Sequence, residues 1–177
     1  MMPPPILLAS ASPRRSELLR QIGIAHEVRP VALDESTHAH EAPAAYVLRL
    51  AEAKARTLWE RLATHERRPV LAADTTVALE GEIFGKPADA AESRAMLQRL
   101  SGRTHQVHTA VALVHAKGAA ARVSSSDVSL RDLSAAELDW YWNTGEPADK
   151  AGGYAVQGRA AIFIRHIAGS YSGVMGL

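Results

Sequence analysis

Cysteine is absent, which excludes disulfides, thiolate metal sites and a cysteine nucleophile, and fits a reducing cytoplasm. An excess of either charge is absent too. Twenty Lys and Arg residues face 19 Asp and Glu, and no basic stretch is interleaved with aromatics, so neither nucleic acid nor an acidic membrane surface is expected as a partner. Any anion site must therefore be local. The opening segment from Met1 to Ile6 carries no basic region, and the four-residue apolar run Ile6–Ala9 is too short for a signal peptide or a membrane span. No repeat, low-complexity tract or long linker divides the sequence. Its 177 residues, 47% of them hydrophobic, predict a single domain over 1–177 with room for two lobes.

What is present begins at Ile6–Leu19, where an apolar run passes into hydroxyls, a proline, two arginines and then helical spacing. Strand, polar loop and helix start are predicted, with Ser12 as N-cap and Pro13 as first helical residue. The free amides of that first turn favour an anion, and Arg14 and Arg15 add planar charged forks that match phosphate oxygens. An ordinary capped helix with two solvated arginines is the plainer alternative.

A second short strand is expected over Ala25–Val31, followed by a polar loop around Asp34-Glu35 and a long helix from Pro43 to about Leu62. Lys54 falls on the apolar stripe of that helix, three residues after Ala51 and four before Leu58. Either it meets an anionic partner or its stem packs while the ammonium snorkels to water. Val70–Ala73 reads as a buried strand that delivers Asp74-Thr75 at its carboxyl end, the usual place for ligands in open α/β sheets. Asp74 there suits a metal ligand, a general base or a turn former.

Glu80-Gly81-Glu82 predicts a hairpin turn, Gly85-Lys86-Pro87 presents another isolated lysine, and Asp89 should cap a helix ending at Leu100. Strands are expected over His105–Val114 and Arg122–Leu130, joined across Ala116-Lys117-Gly118. His105 and His108 fall on opposite faces, as ordinary polar strand residues would. Ser134 and Glu137 form a capping box for a helix ending near Gly145. Gly152-Gly153 permits either close backbone approach to a ligand or a tight turn, ahead of Gln157, whose amide both donates and accepts. Ala161–Ile167 should be the last core strand.

Four cations (Arg14, Arg15, Lys54, Lys86), two carboxylates (Glu35, Asp74) and an amide on a glycine loop suit a polyphosphate bridged by Mg²⁺. No serine–histidine–acid order competes with that reading. Through Ser10-Ala11-Ser12-Pro13-Arg14-Arg15, Asp34-Glu35, Glu52-Ala53-Lys54-Ala55, Ala73-Asp74-Thr75, Gly85-Lys86-Pro87, Ser101-Gly102-Arg103-Thr104-His105, Asp149-Lys150-Ala151-Gly152 and Gly169-Ser170-Tyr171, the chain resembles the Maf family of nucleoside triphosphate pyrophosphatases from Ile6 to Leu177. The resemblance implies a two-lobed, ITPase-like α/β fold, with an elongated mixed sheet flanked by helices and a cleft between the lobes. It also implies hydrolysis of a nucleoside triphosphate to monophosphate and pyrophosphate with a divalent cation (Mg²⁺, Mn²⁺ or Co²⁺), in the cytoplasm, and a homodimer as the assembly.

Ser-Pro-Arg-Arg, Asp-Thr and Gln-Gly together look like the branch acting on dTTP and UTP, with CTP or modified pyrimidine nucleotides as further candidates. The branch preferring 7-methyl-GTP differs at the positions of Arg14, Thr75 and Gln157. A glutamine amide can donate to a pyrimidine O4 and accept from N3–H, a pairing guanine does not offer. On this resemblance Asp74, Lys54 and Lys86 are the catalytic candidates. Ser10, Ser12, Arg14, Arg15, Thr75 and Gln157 bind substrate, and Glu35 with Asp74 holds metal. A non-catalytic nucleotide-binding regulator of septum formation is the alternative from another class.

Overall fold

The computed structural model describes residues 4–177, so Met1, Met2 and Pro3, on which the expectation of no signal segment partly rests, lie outside the described residues. In chain order the elements are β1 (Ile6–Leu8), α1 (Pro13–Gln21), β2 (His26–Val28), α2 (Pro43–Arg61), β3 (Val70–Leu79), β4 (Glu82–Phe84), α3 (Ala90–Leu100), β5 (Thr104–His115), β6 (Gly118–Leu130), α4 (Ala135–Trp142), β7 (Ile164–Ala168) and α5 (Tyr171–Met175). The strands make a seven-stranded sheet in the order β2-β1-β3-β5-β6-β7, with β4 beside β3. It is mixed: β1 runs parallel to β2 and β3, whereas β4 is antiparallel to β3 and β7 to β6. Among the described residues, no helix is long and apolar enough to cross a membrane.

The chain divides into two compact units. One holds the residues up to Asp74, with Thr109–Val123 and Gly176–Leu177; the other holds Thr75–His108 and Ser124–Met175. The first unit is built on α2. Its stripe of Val47, Ala51, Ala55, Leu58 and Leu62 is buried together with Leu7, Ala9, Val70 and Ala72 and with Ala110, Ala112 and Val114. Steps of three and four residues keep those side chains on one face, and the alanines let the helix lie close to the strands. The second unit packs around Tyr141, Phe163, Leu97, Leu100 and Val128. Tyr141 and Phe163 meet edge to face, with ring centroids 5.3 Å apart at 85°, the arrangement aromatic quadrupoles favour.

Helix starts follow their local chemistry. Asp89 accepts from Glu92 N at the head of α3, and Ser134 and Glu137 close a full capping box on α4. The hairpin turn between β3 and β4 puts Glu80 and Gly81 at φ 53° and 84°, matching the right-handed twist of its strands.

Five expectations need correction. β2 is only three residues long, and α4 stops at Trp142. β6 begins earlier than expected, at Gly118. Residues 159–163 form a 3-10 turn that delays β7 to Ile164. Most consequentially, Asp74 does not end its strand: β3 is continuous from Val70 to Leu79, pairing first with β1 and then with β4.

Candidate active site

Asp74 is a carboxylate in the middle of a buried strand, 7% exposed, and it is matched from α2 by Lys54, 8% exposed. Lys54 Nζ donates to Asp74 Oδ1 at 2.6 Å and lies equally 2.6 Å from Glu35 Oε1, so one ammonium joins two carboxylates. The two open alternatives for Lys54 thus resolve in favour of an anionic partner. Glu35 stands in the polar loop ahead of α2 with half its side chain exposed. Two residues not singled out in the sequence hold that loop: Tyr46 Oη donates to Glu35 O at 2.9 Å, and Arg49 donates to Ser36 O at 3.0 Å and to the Glu41 carboxylate. Their only sequence signal was their place on the first two turns of α2, facing back toward that loop.

Across from these lies the β1–α1 loop. Arg15 donates to Ser10 Oγ at 2.9 Å and to Gly176 O at 2.8 Å, and Ser12 N donates to the same Ser10 hydroxyl at 3.2 Å. Ser12 occupies the N-cap position before Pro13, as expected, but its side chain makes no capping bond. The first-turn amides of α1 therefore keep their affinity for an anion.

The charges of this group are felt mutually. Burial pushes the Asp74 carboxyl above its usual range, against the downward pull of Lys54 and Arg15, and neighbouring Glu35 adds to the rise. Burial likewise lowers the Arg15 guanidinium, with Arg14 also lowering it and Asp74 and Glu35 pulling it back. A guanidinium has ample margin and stays charged. Asp74 is thus a carboxylate whose ionised form is poorly solvated, a property suited to a base or to a ligand for a cation.

Ser10, Ser12, Arg15, Glu35, Lys54 and Asp74 are therefore brought together in the first unit, with Arg14 near enough to influence Arg15. Thr75 follows Asp74 on β3, so strand alternation turns it to the other face. Lys86 and Gln157 belong to the second unit, both exposed on loops. Gly152 and Gly153 have φ of 68° and 70°, but what approaches them is protein: a Cβ on Gly152 would fall 2.9 Å from three Val77 side-chain carbons. His105 and His108 have separate partners, Tyr154 Oη and Ser125 Oγ, each at 2.7 Å. Among the described residues, no group of three or more His, Asp or Glu converges. Glu35 and Asp74, already sharing one cation, are the carboxylates that could face a metal together.

Fold and site together define a mixed-sheet α/β protein in which a loop of hydroxyls and arginines shares one unit with a buried carboxylate paired to a lysine. The chain belongs to the Maf-like protein family, whose model matches residues 5–177. It is 51% identical over 177 residues to a dTTP/UTP pyrophosphatase of Alkalilimnicola ehrlichii, covering 98% of this chain and 87% of that one. A dTTP/UTP pyrophosphatase of Bordetella avium is 52% identical over 180 residues, covering 98% and 90%. Among solved structures, the Staphylococcus aureus Ham1 protein superposes with a TM-score of 0.50 at 16% identity, over 73% of each chain, a likeness of fold.

Proposed function

We propose that the chain is a nucleoside triphosphate pyrophosphatase that hydrolyses dTTP and UTP to the monophosphate and pyrophosphate. The observation that carries this is the Lys54 ammonium seated between Glu35 and Asp74, in the same unit as the Ser10–Arg15 loop. The relatives' activity and their half-identical sequences support the substrate class.

Hydrolysis needs a water placed for in-line attack on the α-phosphorus, a group to take its proton, and cations to offset charge on the departing pyrophosphate. Asp74 takes the proton as the new P–O bond forms and the bond from the α-phosphorus to the bridging oxygen breaks. Burial supports this role, because a carboxylate with a raised pKa is a stronger base than a solvated one. Arg15, Arg14, Lys54 and Lys86 bind the triphosphate oxygens, Ser10 and Ser12 donate from the loop, Thr75 helps hold substrate, and Gln157 reads the pyrimidine edge.

A divalent cation fits the donor set: Glu35 and Asp74 already face one positive charge, and Mg²⁺ usually takes one or two carboxylates plus substrate phosphates. When bound it would polarise the phosphoryl oxygens and acidify water. Substrate from the nucleotide pool and a chain without cysteine support a cytoplasmic enzyme.

A screen of canonical and modified nucleoside triphosphates with Mg²⁺ or Mn²⁺, reading both products, tests the reading. Turnover of dTTP and UTP to monophosphate and pyrophosphate is expected. Binding without turnover would favour the regulator, and release of single phosphates would exclude cleavage at the α-phosphorus.

A further inference from the structure

Gln157 is the exposed apex of a turn that Gly158 N closes onto Ala155 O at 3.1 Å. Two side chains grip the turn from either side. On the way in, Ala155 N donates to Tyr141 Oη at 3.2 Å; on the way out, Arg159 N and Ala160 N donate to Glu146 Oε2 and Oε1 at 2.9 and 3.3 Å. Tyr141 Oη in turn donates to Glu146 Oε1 at 2.6 Å, joining the two grips. Tyr141 is fully buried against Phe163, so the turn is tied to the core of its unit.

Gly158 completes the device. Its φ of −101° suits any residue, yet a Cβ there would fall 2.3–2.4 Å from the Glu146 carboxylate atoms. Its missing side chain makes room for that carboxylate rather than for an unusual backbone. Burial raises the Glu146 carboxyl, but the bonds from Tyr141, Arg159 and Ala160, with the charge of Lys150, outweigh it, so the group stays ionised below its usual range. A charged acceptor holding backbone N–H donors makes the stronger class of hydrogen bond.

We infer that Glu146, working with Tyr141, is a positioning residue that fixes the Gln157 amide and so sets discrimination of pyrimidine triphosphates from others. The inference rests on the base-reading role proposed for Gln157.

Steady-state kinetics on dTTP, UTP and GTP test it with Glu146→Ala, Glu146→Gln, Gly158→Ala, Gln157→Ala and the double variant Glu146→Ala/Gln157→Ala. Glu146→Ala and Gly158→Ala should each raise KM for dTTP and UTP about tenfold, with kcat held within about threefold, and narrow the preference over GTP. Glu146→Gln, which keeps one carbonyl acceptor, should fall between. With Gln157 already replaced, removing Glu146 should change the preference by less than about twofold, as coupled residues do.

Wild-type ratios of dTTP to GTP in Glu146→Ala and Gly158→Ala, alongside a narrowed ratio in Gln157→Ala, would overturn the positioning role and leave base reading intact. An unchanged ratio in Gln157→Ala itself would overturn base reading, and this inference with it. A fall in kcat for all three nucleotides at constant ratio would mark Glu146 as merely structural and also overturn the inference.

Discussion

Lys54 and Asp74, twenty residues apart in sequence, meet at 2.6 Å with both side chains buried. The pair does not satisfy the carboxylate fully, because Asp74 still sits above the usual carboxyl range, with burial the largest cause. The site thus holds a charge at a cost to the fold, which is the usual state of catalytic groups.

Replacing Asp74 should separate function from stability. Asp74→Asn is expected to lose about 10²–10⁴-fold of kcat on dTTP, the range for removing a general base. Because a raised carboxyl pKa means that the ionised form opposes folding at neutral pH, thermal stability should hold or increase. Initial rates and a thermal melt on the same samples check both halves, and a variant that retains wild-type kcat would remove Asp74 from the chemistry.

Lys54→Met should move the pH–rate profile. Lys54 lowers the Asp74 pKa by charge and by hydrogen bond, so its loss lets burial push Asp74 higher. The acidic limb of kcat/KM, where Asp74 must lose its proton, is expected to shift to higher pH, and residual activity should recover as pH rises. A limb that stays in place would assign it to another group.

Acid sensitivity of the fold has a separate source in His105. It is 2% exposed, and burial pushes its pKa down to about 4, so the folded state holds it neutral while the unfolded chain titrates near 6.5. The unfolded chain then binds more protons between those values. Stability is full above about pH 6.5 and declines as pH falls toward 4, by roughly 3 kcal/mol over the window. Urea unfolding from pH 4.5 to 7 should show a shallower acid decline in His105→Gln than in the natural chain; equal slopes would point to a different titrating group.

Gly152→Ala should destabilise the second unit by about 2–4 kcal/mol, combining the left-handed backbone penalty with overpacking. Its φ is 68° and the added Cβ would meet Val77 at 2.9 Å. Adding Val77→Ala should recover part of the loss, less than the two single effects would sum to. Purely additive melts would mean that the two residues are not in contact.

These residues also show what could be read in advance. The α2 stripe was legible, and so was the oddity of a lysine on it, because helical period assigns faces without any tertiary knowledge. Asp89 and Ser134 announced their caps through local chemistry alone. Asp74 stands out by residue type, but a polar Asp-Thr-Thr run breaks the apolar pattern and predicts a strand end there; the strand continues because its far half pairs with β4, and the distant Lys54 matches the buried charge. Gly152 looked equally like a ligand contact and a turn; Val77, far off in sequence, settles it as packing against protein. Glu146 gives no local signal, for besides the Tyr141 hydroxyl its partners are backbone amides of a loop more than ten residues later.

The bond from Arg15 to Gly176 O spans 161 positions. A ribosome has therefore made nearly every residue described before the guanidinium near the Asp74 carboxylate gains that anchor. Ending the chain just before Gly176 should leave β1, α2 and the Lys54–Asp74 pair in place while removing one of the bonds that orient the Arg15 guanidinium.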